Sequence, residues 1–233
     1  MKRISALFLA AALLLCACAK ELQLTFEDDG TLSDGLGNTY NSAPVGYEPT
    51  NQGAEYGKID DAIGETLYQV GTLDPEDYLT GDYSGATTLF FYNADITLPA
   101  LWEMEPDLCY LCEQETNVIT ICTIGDGSRS GDAEKDKEVL NTLVEQMQNA
   151  IENEESDSIW PRADANATYQ LKFYSDNWPA FYYNLTLAIC DSGTYMYDRQ
   201  SQTCVDIGDL LTPYYEGTTP ETTSGSNETG DDI

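Results

Sequence analysis

One stretch of this chain repeats its apolar residues with a helical period. From Asp132 to about Asn153, the residues Val139, Leu140, Leu143, Val144, Met147 and Ile151 recur at intervals of three and four, with Glu and Lys between them. That is the pattern of an amphipathic helix. Asp132 stands where an N-cap belongs, and Glu134 and Asp136 lie at the positive end of the helix dipole. Elsewhere the apolar runs are short and rich in β-branched and aromatic residues. They cover residues 67–73, 88–96, 108–112 and 118–124 before the helix, and 168–174, 181–190, 194–197 and 204–207 after it. Turn formers such as Asp74-Pro75, Gly81-Asp82 and Asp191-Ser192-Gly193 separate them. One long helix between two groups of antiparallel strands predicts an α+β fold, with the helix over about 132–153 packed on one sheet face. No repeat of 20 to 50 residues is present, which excludes solenoids and propellers.

Charge narrows the function. Asp and Glu number 41 against 10 Lys and Arg, there is no histidine, and the formal net charge is −31. Nucleic-acid binding needs clustered cations to release counterions, so this chain is not read as a nucleic-acid partner. Without histidine, Ser-His-Asp and Cys-His catalysis and the HExxH zinc site are excluded. A hydrophobic fraction of 42% still requires a folded body.

The amino terminus carries a targeting pattern. Lys2 and Arg3 precede an apolar run from Ile4 to Leu15, too short to cross a bilayer core of roughly 30 Å as a helix. The segment that ends it, Leu15-Cys16-Ala17-Cys18, resembles the lipobox of bacterial lipoproteins, although Cys16 stands where Ala or Ser is usual. The resemblance implies that the signal is cut before Cys18 and that its thiol receives a diacylglyceryl group. The chain would then be held by its lipid on the outer face of the bacterial cell membrane. On this reading residues 1–17 are a signal peptide, and 18–64, rich in Gly, Asn, Asp and Pro, are a tether and loosely ordered arm. Residues 65–215 form a single α+β domain, and the acidic Thr/Ser/Gly tail 216–233 is disordered.

Cys109, Cys112, Cys122, Cys190 and Cys204 remain in a body expected to be exported, where oxidation is permitted. A hairpin centred between Glu115 and Thr116 would set Cys109 opposite Cys122, and Cys190 and Cys204 flank the last hairpin; these four are the disulfide candidates. A redox reading of the CxxC at Cys109–Cys112 conflicts with its place in a strand rather than at a helix start. A zinc reading lacks a second pair of suitable spacing.

The loop before the helix spaces Asp126, Ser128, Ser130, Asp132 and Glu134 as the oxygen ligands of an EF-hand-like calcium loop, with Gly131 at the sixth position. Position twelve is Lys137 rather than an acid, and a polar strand-to-helix loop ending in an N-cap accounts for the same residues. Aromatics crowd the second half. Tyr174, Trp178, Tyr182, Tyr183, Tyr195 and Tyr197 are candidates for stacking on a ligand, or for cross-strand pairs on a solvated sheet face. Taken together, the residues describe a lipid-anchored extracytoplasmic protein that binds an extracellular ligand or protein and performs no chemistry. The alternatives are a structural envelope protein and an extracellular hydrolase working through carboxylates.

Overall fold

The computed structural model describes residues 22–61, 63–82, 89–113, 120–154 and 165–215. The signal segment 1–17, Cys18 and the tail 216–233 therefore lie outside the described residues. The chain divides into two compact units, one running to Ala100 and including Asn177–Tyr183, the other holding Leu101–Asp176 and the residues from Asn184 onward.

The first unit is built from β1 (Gln23–Phe26), β2 (Leu32–Ser33), β3 (Thr39–Ser42), β4 (Tyr47–Pro49), β5 (Gln52–Ile59), β6 (Thr66–Val70), β7 (Tyr78–Thr80) and β8 (Phe90–Asn93). Seven of these close into a barrel in the order β1-β2-β3-β8-β7-β6-β5. The closing pair, β1 with β5, is parallel, with Gln23 beside Lys58 and Leu24 beside Ile59. Closure leaves no edge strand to protect. Each barrel strand sends one large side chain inward. Leu24, Leu32, Tyr40, Ile59, Leu67, Leu79 and Phe91 make the core, none more than 3% exposed, so the interior is filled rather than hollow. Inside it the Tyr40 hydroxyl donates to the Pro75 carbonyl at 3.0 Å. Gly53, in the irregular part of β5, is required by close approach, since a Cβ there would lie 1.9 Å from the Gly71 carbonyl oxygen.

The second unit contains β9 (Leu108–Glu113), β10 (Thr120–Ile124), the helix α1 (Ala133–Glu152), β11 (Ala165–Tyr174), β12 (Phe181–Cys190), β13 (Gly193–Asp198), β14 (Thr203–Asp206) and the single turn α2 (Thr212–Tyr215). Its sheet runs β10-β9-β11-β12-β13-β14. The first three residues of β12 belong to the other unit, where Phe181, Tyr182 and Tyr183 pair with Pro49, Glu48 and Tyr47 of β4. Cys109, Leu111, Cys122, Ile124, Leu171 and Phe173 are all buried, and their register puts them on one sheet face. The helix buries Val139, Leu140, Leu143, Val144, Met147 and Ala150, and lies against β10 and β14.

The expected α+β fold does not hold. The helix forms over Ala133–Glu152, but the protein is mostly β, a closed seven-stranded barrel together with a second sheet. The segment read as a loosely ordered arm supplies β1 to β5 across its described residues, and a domain boundary at residue 65 would cut the barrel between β5 and β6. The physical reason is strand length. A strand of two to four residues that buries one side chain has no alternation to display.

Candidate functional site

The segment from Leu101 to Asp107, ahead of β9, is pinned at several points. Leu101 and Met104 are buried, and the Met104 carbonyl accepts from Ser175 Oγ at 2.6 Å. The Asp107 N–H donates to the Tyr174 carbonyl at 2.9 Å, while its carboxylate accepts from the Asp176 N–H at 2.9 Å. Between these anchors Trp102 is half-buried and Glu105 is exposed. Glu105 has φ of 50°, a left-handed conformation uncommon for a residue with a side chain.

Helix α1 faces this segment with Lys137, Asn141, Glu145 and Gln148, at the spacing of one helical stripe, beside Leu140 and Val144. The two elements enclose a groove of about 470 Å³, within the range of small-ligand pockets. Its floor is apolar, with Leu140 1% and Val144 9% exposed next to Pro106 and Trp102. The rim is charged, carrying the carboxylates of Glu105, Asp107 and Glu145 and the ammonium of Lys137. Lys137 Nζ lies 4.0 Å from the carboxylate of Glu134, which is not a groove residue.

Asp136 organises the start of the helix on its other side. Its side chain is fully buried and accepts from the Gly125 N–H at 3.3 Å, the Gly127 N–H at 2.9 Å and the Tyr214 hydroxyl at 2.6 Å. Burial works against ionisation, but hydrogen bonds from Ser130, Tyr214, Gly127 and Gly125 outweigh it and hold the carboxyl below its ordinary range. Burial and the same carboxylate push the Tyr214 hydroxyl well up.

This clasp explains the loop read as a calcium site. Asp132 is the N-cap, accepting from the Glu134 and Lys135 N–H groups at 3.1 and 3.2 Å. Asp126 accepts from the Ser128 N–H, and Ser130 Oγ bonds Asp132. The Glu134 side chain is 88% exposed, and among the described residues no three His, Cys, Asp or Glu side chains gather as a metal site. The loop satisfies itself, so the ligand set spaced along the sequence is not assembled.

The expected cross-strand positions of the cysteines are displaced by register. Cys109 lies opposite Ile124 and Cys122 opposite Leu111, because an irregularity between Thr120 and Cys122 shifts the ladder. Cys190 pairs with Gly193 whereas Cys204 pairs with Tyr197. These two rows lie four residues apart, about 14 Å along the strands, beyond the roughly 7 Å Cα limit for a bridge. In the CxxC, burial pushes the thiols of both Cys109 and Cys112 up, the opposite of what a thiolate nucleophile requires. Burial also raises Cys122, to about 11.

The six aromatic candidates do not converge. Tyr182 and Tyr183 are buried although adjacent in β12, because both faces of the strand are covered there. Tyr182 donates to the Glu48 carboxylate, and Tyr183 packs edge-on to Tyr47 at 4.9 Å. Trp178 packs on Phe181, and Tyr174 on Tyr110 at 4.8 Å. Tyr195 and Tyr197 are half-buried on one face of β13, and the Tyr195 hydroxyl donates to Ser192. None of the six lines the groove.

Sequence reasoning passed over the groove. The available signal was Trp102 among the acids of Trp102-Glu103-Met104-Glu105-Pro106-Asp107, together with the polar stripe of the predicted helix. Asp136 was legible too, as an acid three and four residues ahead of Val139 and Leu140 on the apolar stripe. No family model, curated protein or solved structure matches this chain.

Proposed function

We propose that this protein is a lipid-anchored extracytoplasmic binding module whose ligand site is the groove between α1 and residues 101–107. The groove carries the reading: a concave, partly apolar surface of about 470 Å³ with charged groups at its rim is the form a ligand site takes. The tether rests on Leu15-Cys16-Ala17-Cys18 following a short apolar run. A carboxylate hydrolase has less support. Glu65, whose carboxyl is raised by burial and by the charges of Asp61 and Asp82, belongs to the barrel unit and does not line the groove.

Two measurements test this reading. Intact mass of the membrane-fraction protein is expected to give a chain beginning at Cys18 with a diacylglyceryl adduct, and Cys18→Ala is expected to abolish the adduct; unmodified soluble wild type would overturn the anchor. For binding, thermal unfolding is followed against basic peptides, acidic peptides and neutral oligosaccharides. A ligand at about 100 times its Kd stabilises by about 2.7 kcal/mol. That stabilisation should vanish in Asn141→Trp, which fills the groove from an exposed position. A shift that persists in this variant, or no shift with any of the panel, would overturn the site.

A further inference from the structure

We infer that the ligand of this groove is a cationic amphipathic segment of a partner protein, an inference that rests on the binding reading above. Three observations converge on it. The rim has three carboxylates, Glu105, Asp107 and Glu145, against the single ammonium of Lys137, and that ammonium has Glu134 within 4.0 Å. The rim is therefore net negative and complements a lysine- or arginine-bearing segment. The floor is apolar, formed by Trp102 and Pro106 over the nearly inaccessible Leu140 and Val144. The apolar side chains of an amphipathic segment pack on such a floor while its cations meet the acidic rim. An ammonium or guanidinium reaching the Trp102 ring also gains a cation–π contact. Third, Glu105 is held at φ 50° between the buried Met104 and the half-buried Pro106. Unusual backbone conformations of this kind collect at ligand clamps, and here it falls on a rim carboxylate.

The net charge of −31 adds long-range attraction for such a partner and speeds encounter. It also attracts any polycation, so the experiment must separate the groove from the whole surface. The probe is a short amphipathic peptide of lysine and leucine, titrated calorimetrically into the full-length protein beside its glutamate–leucine counterpart and a neutral tetrasaccharide of glucose. The basic peptide is expected to bind, more weakly as salt rises, and the acidic one not to bind. Glu105→Gln combined with Glu145→Gln is expected to weaken binding about tenfold. Glu27→Gln with Asp28→Asn, equal in charge removed and exposed in the barrel unit, is expected to leave it unchanged. Equal weakening by both double variants would overturn the inference, because attraction would then be to net charge alone. Binding of the tetrasaccharide, abolished by Asn141→Trp, with no binding of the basic peptide would overturn the ligand class and leave the binding module standing. Failure of every probe would overturn both.

Discussion

Asp136→Ala lowers the thermal midpoint of the helix-bearing unit by about 10–20 °C, the shift expected for a loss of about 3 kcal/mol in a unit of little over 100 residues. The magnitude follows from what the carboxylate holds. Two backbone N–H groups, of Gly125 and Gly127, and the Tyr214 hydroxyl end on it, and truncation strands the Gly125 N–H and the Tyr214 hydroxyl in a buried site and the Gly127 N–H in a half-buried one. Tyr214→Phe removes one of the three bonds and costs about 1 kcal/mol. The pH dependence has a fixed sign. The folded carboxyl is depressed below its ordinary value of 3.8, so its contribution is full above the unfolded value and is lost as pH falls through the folded one. Stability of the wild type therefore declines as pH drops below about 4, and Asp136→Asn flattens that decline. A midpoint within 2 °C of wild type for Asp136→Ala, checked by calorimetry at neutral pH, would sink this account.

Asp34→Ala has the corresponding effect on the barrel. Asp34 is 2% exposed in the turn between β2 and β3 and accepts from the N–H groups of Leu36, Gly37 and Asn38 at 2.7, 3.1 and 3.1 Å. The Asn38 amide at 2.7 Å and the Tyr56 hydroxyl at 2.8 Å complete its shell. Here too burial opposes ionisation and the hydrogen bonds prevail, holding the carboxyl down. Loss of this shell is expected to cost about 3 kcal/mol. Hydrogen exchange resolves the prediction locally: faster exchange is expected in β1 to β3, and unchanged protection in that hairpin would refute it. Asp34→Asn retains one carbonyl acceptor, so it falls between wild type and alanine.

What was legible in the sequence tracks how far each element advertises its period. Helix α1 has five full turns and a capping aspartate, and it forms where expected, over Ala133–Glu152 against the predicted 132–153. Longer strands such as β12, Phe181–Cys190, also show in composition alone. Of the barrel, β6 and β8 fall in runs read as strands, but the rest does not show, because Leu24, Leu32, Tyr40 and Leu79 are each the one inward residue of a strand of two to four residues. Their neighbours are Gly, Asn, Asp and Thr, the residues of linkers, and a closed ring of such strands is stabilised by partners distant in sequence. The groove escaped for a related reason. Its residues come from one loop and the polar side of one helix, and neither pattern alone distinguishes a concave wall from an ordinary solvated face. The expected opposition of Cys109 and Cys122 is displaced by two residues, in a ladder whose irregularity between Thr120 and Cys122 has no mark in the sequence.

The strand β12 carries a temporal consequence. Its first three residues pair with β4 in the amino-terminal unit, so that unit is unfinished until Tyr183 has emerged from whatever machinery delivers the chain. Strands β1 to β8 arrive long before, and the polypeptide from Leu101 to Asp176 arrives in between. Folding in order of synthesis, the usual economy of multi-unit chains, is thereby denied to the first unit. The late segment Asn177–Tyr183 acts as a clasp fastened last, and a ribosome-arrested or truncated chain ending before it would lack the pairing of β4 with β12 and the packing of Phe181 and Tyr183 on the Tyr47 ring.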